Sequence, residues 1–511
     1  MWLSSIAGLA LSLAACTAIE SRTLPASSPG IRISSGRAIH VGTLLVLYAT
    51  LLALLQRPLC TAAVTMAMMA LLVVVSNAKY RALREPFVFT DFGLFSQALR
   101  FPRLYLPFLD AVPTLAGITL FGAIGYAGFR LESPLARGTG MLQSVVAVVT
   151  MLLAGASLLR LGARASSQIT CDPSTDLRRH GLLGSLWLQW RDERVAVPAV
   201  NSPYRPEFLV PTSRRAASLP DLVVIQSESF FDARRLMPGI RRELLSAFDQ
   251  LALTGSVGRL SVPAWGANTM RSEFAFLTGI AAESLGVHRF NPYRHFARRP
   301  QPSLPWWLRE LGYRTVCIHP HPREFFGRDK VFPALGFTDF TDIREFDRRE
   351  TFGPYVSDAA VTRKIADTLS AADGPQLLFV ITMENHGPLH LESTTSAEIA
   401  ELFEGPPPAG FDDLWVYLRH LRNADRMLND LVAILSSRER ESVLCFFGDH
   451  VPSMPDVYSA LNHDDGRTDF LLWSPKPLAP ASRDLAVESL GLHLLQVAGL
   501  IEGPDTHARS R

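Results

Sequence analysis

The chain has 511 residues, of which 48% are hydrophobic and only 19% are charged. A composition this apolar argues against a wholly soluble protein and indicates membrane-embedded and soluble parts in one chain. The formal net charge of +2 gives no ground for a nucleic-acid partner. The five scattered cysteines, with no CxxC pair, argue against a disulfide framework or a cysteine zinc site.

Long apolar segments fill the first third of the chain. Each has about the ~20 residues that a bilayer-spanning helix needs, and their interiors carry essentially no charge. Consecutive runs of this length are difficult to bury in a water-soluble core. The sequence therefore predicts a transmembrane domain over residues 1–165 with about five helices, near residues 2–19, 38–55, 58–77, 108–130 and 140–162.

The first apolar segment has two readings, a transmembrane helix or a signal peptide. Leu13-Ala14-Ala15-Cys16 resembles a lipoprotein cleavage box. However, no Lys or Arg precedes the apolar run, which favours the transmembrane helix.

The basic residues of the loops do not support one orientation. If five helices follow a cytoplasmic N-terminus, most loop Arg and Lys residues lie outside, against the positive-inside rule. Residues 79–107 mix aromatic and basic side chains, so we expect this segment to lie along the membrane interface or to touch lipid head groups.

The composition becomes more polar after residue 165. Residues 166–217 are predicted to be a proline-containing linker, with a short helix around 182–191. Residues 218–511 alternate short apolar runs with helical patterns, which predicts an α/β domain around a mostly parallel central sheet. The predicted strands are 222–225, 315–318, 377–381, 443–447 and 470–473, and the predicted helices lie near 241–253, 269–279, 303–311, 355–371, 411–436 and 484–498.

Polar side chains follow four of these strands. Glu228 follows the first strand, His319 the second, His386 the third, and the pair Asp449-His450 the fourth. Each alone is more often an ordinary loop residue. Because the carboxyl ends of parallel strands share one edge of a sheet, we expect the group to converge there. Carboxylate and imidazole together suit a divalent ion such as Zn²⁺ or Mn²⁺, with Glu228, Asp449 and His450 as ligands.

Thr269 is a further candidate because it leaves a glycine-containing turn and enters a predicted helix. At a helix N-terminus, backbone N–H groups and the helix dipole favour an anion. The alternative is an ordinary helix cap. The residues alone leave both roles open.

The ordered set of motifs resembles the lipoteichoic acid synthase and phosphoglycerol transferase family, within the sulfatase and alkaline phosphatase superfamily. The resemblance covers about residues 220–475 and follows the five predicted spans. It rests on Glu228-Ser-Phe, Asn268-Thr269 with Ser272-Glu-Phe, His319-Pro-His321 with Phe326-Gly-Arg328-Asp329, Glu384-Asn-His386-Gly-Pro, and Gly448-Asp449-His450.

The resemblance implies a site for one divalent ion, most often Mn²⁺, with Zn²⁺ or Mg²⁺ as alternatives. It assigns Glu228, Thr269, Asp449 and His450 to the metal and makes Thr269 the nucleophile. It assigns the phosphoglycerol head group to His319, Phe326, Arg328 and His386, and it gives His386 a catalytic role as well. The family pattern has Trp where this chain has Phe326, and Asp where it has His321. These departures leave the head group and the acceptor open.

These expectations combine into a multi-pass enzyme of the bacterial cell membrane with an extracytoplasmic catalytic domain, the orientation being that of the family. Its substrates would be an anionic phospholipid (phosphatidylglycerol) and a glycan or polymer hydroxyl. The rivals are a phosphoethanolamine transferase, a sulfatase-like phosphodiesterase, and a non-catalytic anion sensor or transporter. A sulfatase needs a CxPxR motif, which the chain lacks. The basic segment 289–299 is either a solvated loop or an anion-binding surface, and His463 is a further candidate histidine.

Overall fold

A computed structural model describes residues 2–26, 34–94, 100, 102, 111–166, 169–195, 200–212, 219–296, 300–478 and 480–502. The chain divides into two compact units, Met1–Ala196 and Val197–Arg511, which are taken separately below.

The first unit is helical. Four stretches are long and apolar enough to cross a membrane: Ser34–Leu55, Pro58–Leu83, Thr114–Arg137 and Met141–Ala165. The first predicted span forms the helix Trp2–Glu20, whose apolar part Ser5–Glu20 is shorter than these four. The stretch Thr114–Arg137 falls on the helices Ala111–Leu131 and Leu135–Thr139, and the unit's other α-helices are Pro173–His180 and Leu182–Glu193.

Glycines let two of these apolar helices approach closely. A Cβ atom on Gly155 would lie 2.9 Å from the backbone oxygen of Gly42, and one on Gly162 would lie 2.9 Å from that of Ser35. Small residues are typical where membrane helices pack against each other. The helices Ser34–Leu55 and Met141–Ala165 therefore pack backbone to backbone.

The segment predicted to lie along the membrane interface begins with a paired cation. Lys79 Nζ is 2.7 Å from Glu85 Oε1 and 2.6 Å from Asp91 Oδ2, and all three side chains are largely buried. Of the rest of this segment, residues 95–99, 101 and 103–107 lie outside the described residues.

The second unit contains a nine-stranded sheet. Strands β1 (Asp221–Ser227), β7 (Gln376–Ile381) and β8 (Ser442–Gly448) run parallel at its centre, and β3 (Arg314–Ile318) and β4 (Asp339–Thr341) continue one side. On the other side β9 (Thr468–Trp473) is antiparallel to β8 and to β2 (Ser256–Ser261). The short strands β10 (Ala481–Ser482) and β11 (Leu485–Ala486) pair with β2, and β5 (Thr351–Phe352) with β6 (Tyr355–Val356) forms a separate hairpin.

Helices cover both faces of this sheet. Alternate residues of β1 contribute to two apolar cores: Val223 and Ile225 pack in one, and Leu222 and Val224 in the other. This alternation follows from the two-residue period of a strand. The helices are Ser246–Ala252, Thr269–Thr278, Tyr293–Phe296, Leu304–Glu310, Arg328–Ala334, Asp358–Ser370, Ser396–Leu402, Asp412–Ser436, Pro455–Ala460 and Val487–Val497.

The α/β architecture with preceding apolar helices is thus the predicted one, and all five predicted strands are present. The structure adds elements that were not predicted, among them the short strands β4, β5, β6, β10 and β11. The strand β2 was not predicted, because Gly258 and Arg259 interrupt its apolar pattern. Within the predicted linker 166–217, the predicted short helix is present as Leu182–Glu193, and a second helix, Pro173–His180, was not predicted; both lie in the first unit.

Candidate functional site

Strand register brings Glu228 and Asp449 together. Ser227, the last residue of β1, pairs with Gly448, the last residue of β8. The next residue along each strand is therefore a carboxylate, and the two carboxylates lie side by side at the edge of the sheet. Glu228 is 3% exposed and Asp449 is fully buried.

Gly448 is required at this edge because of a backbone contact. A Cβ atom on Gly448 would lie 1.8 Å from the carbonyl oxygen of Phe230. This oxygen belongs to the backbone, so it cannot move aside as the end of a flexible side chain could. The absence of a side chain at Gly448 lets the turn after β1 cross over the end of β8.

We expect Gly448→Ala to destabilise the second unit by about 1–3 kcal/mol, because the Phe230 carbonyl must shift. Thermal unfolding of the full-length protein in detergent measures this loss. Gly374→Ala is the matched control, since a Cβ there meets nothing within 4 Å. Equal unfolding midpoints for the two variants would contradict the expectation.

The ring of His450 is held with one nitrogen directed at the carboxylates. Its Nδ1 lies 3.0 Å from the Val451 carbonyl oxygen, which only accepts, so Nδ1 carries the proton. Its Nε2 then lies 3.5 Å from Glu228 Oε1 and 3.4 Å from Asp449 Oδ2. Ligand atoms of Glu228, Asp449 and His450 all lie within 4.8 Å of one another.

Thr269 adjoins this cluster. It is the first residue of the helix Thr269–Thr278, and it follows Asn268, whose φ of 68° is left-handed. Its Oγ1 lies 3.5 Å from His450 Nε2, and its side chain is 8% exposed. The turn thus delivers a hydroxyl, together with a helix N-terminus, to the edge where β1 and β8 end.

The charges of the cluster fit a cation. Burial, with the charge of Glu228, raises the pKa of Asp449 to about 6, although His450 and the Thr269 hydroxyl oppose the rise. Burial opposes protonation of His450, but Asp449 and Glu228 raise its pKa above the usual value. Within the described residues, Asp449 Oδ2 has no hydrogen-bond partner. Two buried carboxylates, one of them with an oxygen that has no hydrogen-bond partner, and an imidazole whose Nε2 lone pair is available once that nitrogen is unprotonated are ligands that a divalent ion accepts.

A buried ion pair holds Arg328. The Glu273 carboxylate accepts two hydrogen bonds from one edge of the guanidinium, from Nε to Oε1 at 3.1 Å and from Nη2 to Oε2 at 2.9 Å. Both side chains are almost fully buried, and the Tyr293 hydroxyl also donates to Glu273. Arg328 Nη1 points to His319 Nε2 at 3.3 Å. Sequence reasoning placed Arg328 on the substrate and missed Glu273 as its partner.

His319 is a neutral ring. Its Nδ1 donates to the Ile381 carbonyl at 3.1 Å, and its Nε2 accepts from Arg328. Burial, followed by the charge of Arg328, lowers the pKa of His319 well below its usual range. Phe326 lies beside them, with its ring 5.3 Å from the Arg328 guanidinium and a φ of 56°. The structure therefore brings together three of the residues assigned to the head group, His319, Phe326 and Arg328, all of which follow β3.

His386 lies against Tyr355, which sequence reasoning did not single out. His386 Nδ1 is 2.6 Å from the Gly387 carbonyl oxygen and 3.3 Å from the Tyr355 hydroxyl, which itself donates to Gly387 at 3.0 Å. Because the carbonyl only accepts, Nδ1 carries a proton, and in the neutral form of the ring the lone pair is on Nε2. Burial and the charge of Glu228 raise the pKa of Tyr355, so its hydroxyl stays protonated.

The two further sequence candidates are His463 and the basic segment 289–299, and the contacts described for them are with residues other than Glu228, Asp449 and His450. His463 stacks on Tyr458 and bonds to the Asp465 carbonyl oxygen at 3.0 Å. In the basic segment 289–299, Arg289 pairs with Glu283 at 3.1 Å, and residues 297–299 lie outside the described part of the chain.

Known proteins share the fold of this chain. Residues 220–499 match the Sulfatase family, so the chain belongs to that family. The superfamily predicted from the motifs is thereby confirmed.

Three similar proteins extend the comparison. The capsular polysaccharide biosynthesis protein RkpI of Rhizobium meliloti is 27% identical over 87% of this chain and 82% of its own length. Phosphoglycerol transferase I of Xanthomonas axonopodis is 25% identical over 54% of this chain and 40% of its own length. The lipooligosaccharide phosphoethanolamine transferase EptA of Neisseria meningitidis is 14% identical, covers 98% of this chain and 95% of its own, and shares the fold with a TM-score of 0.54.

Proposed function

We propose that the chain is a metal-dependent phosphoglycerol transferase of the bacterial cell membrane. It would take the head group of an anionic phospholipid, phosphatidylglycerol, and pass it through a phospho-threonine to a glycan or polymer hydroxyl. The observation that carries the proposal is the Thr269 hydroxyl, 3.5 Å from His450 Nε2 and next to two buried carboxylates.

The cation would be held by Glu228, Asp449, His450 and the Thr269 hydroxyl, with Mn²⁺ proposed and Zn²⁺ or Mg²⁺ as alternatives. When bound, it lowers the pKa of a coordinated hydroxyl and offsets charge on phosphoryl oxygens. A threonine hydroxyl is otherwise a weak nucleophile at neutral pH.

In the first step, Thr269 Oγ1 attacks phosphorus and the bond from phosphorus to the diacylglycerol oxygen breaks. Diacylglycerol leaves as the alcohol with one proton, equal to the proton that Thr269 gives up. In the second step, the acceptor hydroxyl attacks the phosphothreonine, the Thr269–phosphorus bond breaks, and Thr269 regains a proton. No oxidant or reductant is needed.

The remaining site residues would bind and orient the head group. Glu273 occupies Nε and Nη2 of Arg328, and His319 accepts from Nη1, so Arg328 would face the phosphoryl oxygens with the second N–H of Nη1, beside Phe326. His386 has its Nδ1 proton tied to Gly387, so its Nε2 is the atom that can exchange a proton with an alcohol oxygen.

The relatives support transfer at a cell envelope. The Xanthomonas relative is a phosphoglycerol transferase, and RkpI takes part in capsular polysaccharide biosynthesis. The apolar helices would hold the second unit on the extracytoplasmic side of the membrane, where it reaches a lipid head group without extracting the lipid.

The test uses full-length protein in liposomes that contain phosphatidylglycerol with a labelled head group. With Mn²⁺ we expect diacylglycerol release and, without an acceptor, a labelled adduct that peptide mass spectrometry locates on Thr269. Chelation should stop both. Phosphatidylethanolamine is the comparison lipid: equal release from it would favour the phosphoethanolamine rival, and no adduct with either lipid would refute the phospho-threonine route.

A further inference from the structure

Ser229 contacts three of the four residues proposed to bind the cation, namely Glu228, Asp449 and His450. Its hydroxyl donates to Glu228 Oε1 at 2.9 Å, and its backbone N–H donates to Asp449 Oδ1 at 3.0 Å. The same hydroxyl oxygen lies 3.3 Å from His450 Nδ1. The side chain is 2% exposed, so water does not compete freely for these contacts.

These contacts leave one oxygen of Asp449 available and hold one oxygen of Glu228 at the cluster. Asp449 Oδ1 accepts two backbone N–H groups, from Ser229 and His450, each at 3.0 Å. Its Oδ2 is the oxygen without a hydrogen-bond partner in the described part of the chain. In Glu228, the Ser229 hydroxyl donates to Oε1, and this is also the oxygen that lies 3.5 Å from His450 Nε2.

The backbone of Ser229 makes the choice of serine informative. Its φ of 55° lies in the left-handed region, which costs free energy for every L-residue and none for glycine. The conformation is held by the Tyr417 hydroxyl, which donates to the Ser229 carbonyl at 2.7 Å. Glycine would satisfy the backbone with less strain, so the feature that serine adds here is its hydroxyl.

We infer that Ser229 is a positioning residue whose hydroxyl orients Glu228 toward the cation. This inference rests on the proposed metal site. Partners behind metal ligands typically change metal affinity by about 10–100-fold when they are removed.

The test measures Mn²⁺ binding to metal-stripped, full-length protein by following free Mn²⁺ with electron paramagnetic resonance. We expect Ser229→Ala and Ser229→Gly each to raise the Kd by about 10–100-fold. The two variants separate the two roles: glycine relieves the strained backbone but does not replace the hydroxyl. A purely structural role would therefore let Ser229→Gly bind Mn²⁺ as the wild type does.

Ser202→Ala is the matched control, because Ser202 is also 2% exposed and its hydroxyl donates to the Thr278 carbonyl at 2.8 Å. We expect its Kd to stay unchanged. An unchanged Kd in both Ser229 variants, or in the glycine variant alone, would overturn the inference and leave the metal site intact. A wild-type protein that binds no Mn²⁺ would instead refute the Mn²⁺ site itself, and the inference with it.

Discussion

Thr269→Ala is expected to lower diacylglycerol release from phosphatidylglycerol by roughly 10⁴-fold or more, since removal of a nucleophile is among the largest single losses in enzymes that act through a covalent intermediate. Mn²⁺ affinity should fall far less, because Glu228, Asp449 and His450 remain. Measuring both quantities on one preparation separates a lost nucleophile from a lost metal site.

Two variants test whether this loss is specific to the reacting hydroxyl. Thr269→Ser keeps an attacking oxygen and should retain part of the turnover. Thr278→Ala, at the far end of the same helix, loses a buried hydroxyl that donates to the Phe274 carbonyl at 2.7 Å. We expect it to turn over phosphatidylglycerol as the wild type does. Release by Thr269→Ala at the wild-type rate would refute the mechanism.

Glu273→Gln is expected to destabilise the second unit by about 3–5 kcal/mol, because it leaves the Arg328 cation buried without its counter-ion. The substitution nearly preserves volume, so the loss reports charge and hydrogen bonding. Thermal unfolding of the full-length protein measures it.

The control is an exposed ion pair in the same domain. Arg314 Nε lies 3.0 Å from Asp339 Oδ2, and these side chains are 42% and 44% exposed. Asp339→Asn should cost only about 0–1 kcal/mol, since solvent screens such a pair. Similar shifts in unfolding midpoint for the two variants would mean that the burial of Arg328 does not raise the cost of removing its counter-ion.

Local patterns were sufficient for the strands of the sheet centre. β1, β7 and β8 are largely continuous apolar runs because both of their faces are covered. Such a run can be recognised from the sequence alone. β2 escaped prediction because its pairing with β9, more than 200 residues away, substitutes for an apolar pattern of its own.

The site shows the same division. Glu273 follows Thr269 by four residues, a spacing that places both on one helix face, so its proximity to the site could have been predicted. Its pairing with Arg328, 55 residues further on, could not. Tyr355 reaches His386 from the β5–β6 hairpin, and no spacing in the sequence indicates that contact.

By itself, the sequence determined the apolar helices, the α/β class and the polar residues that end the strands, because period and run length are local properties of the chain. Only the tertiary structure decided that Arg328 is neutralised inside the protein, that His319 is a neutral ring, and that Ser229 contacts three other site residues. These properties depend on burial and on distances between segments far apart in the chain, and both arise only when the sheet forms.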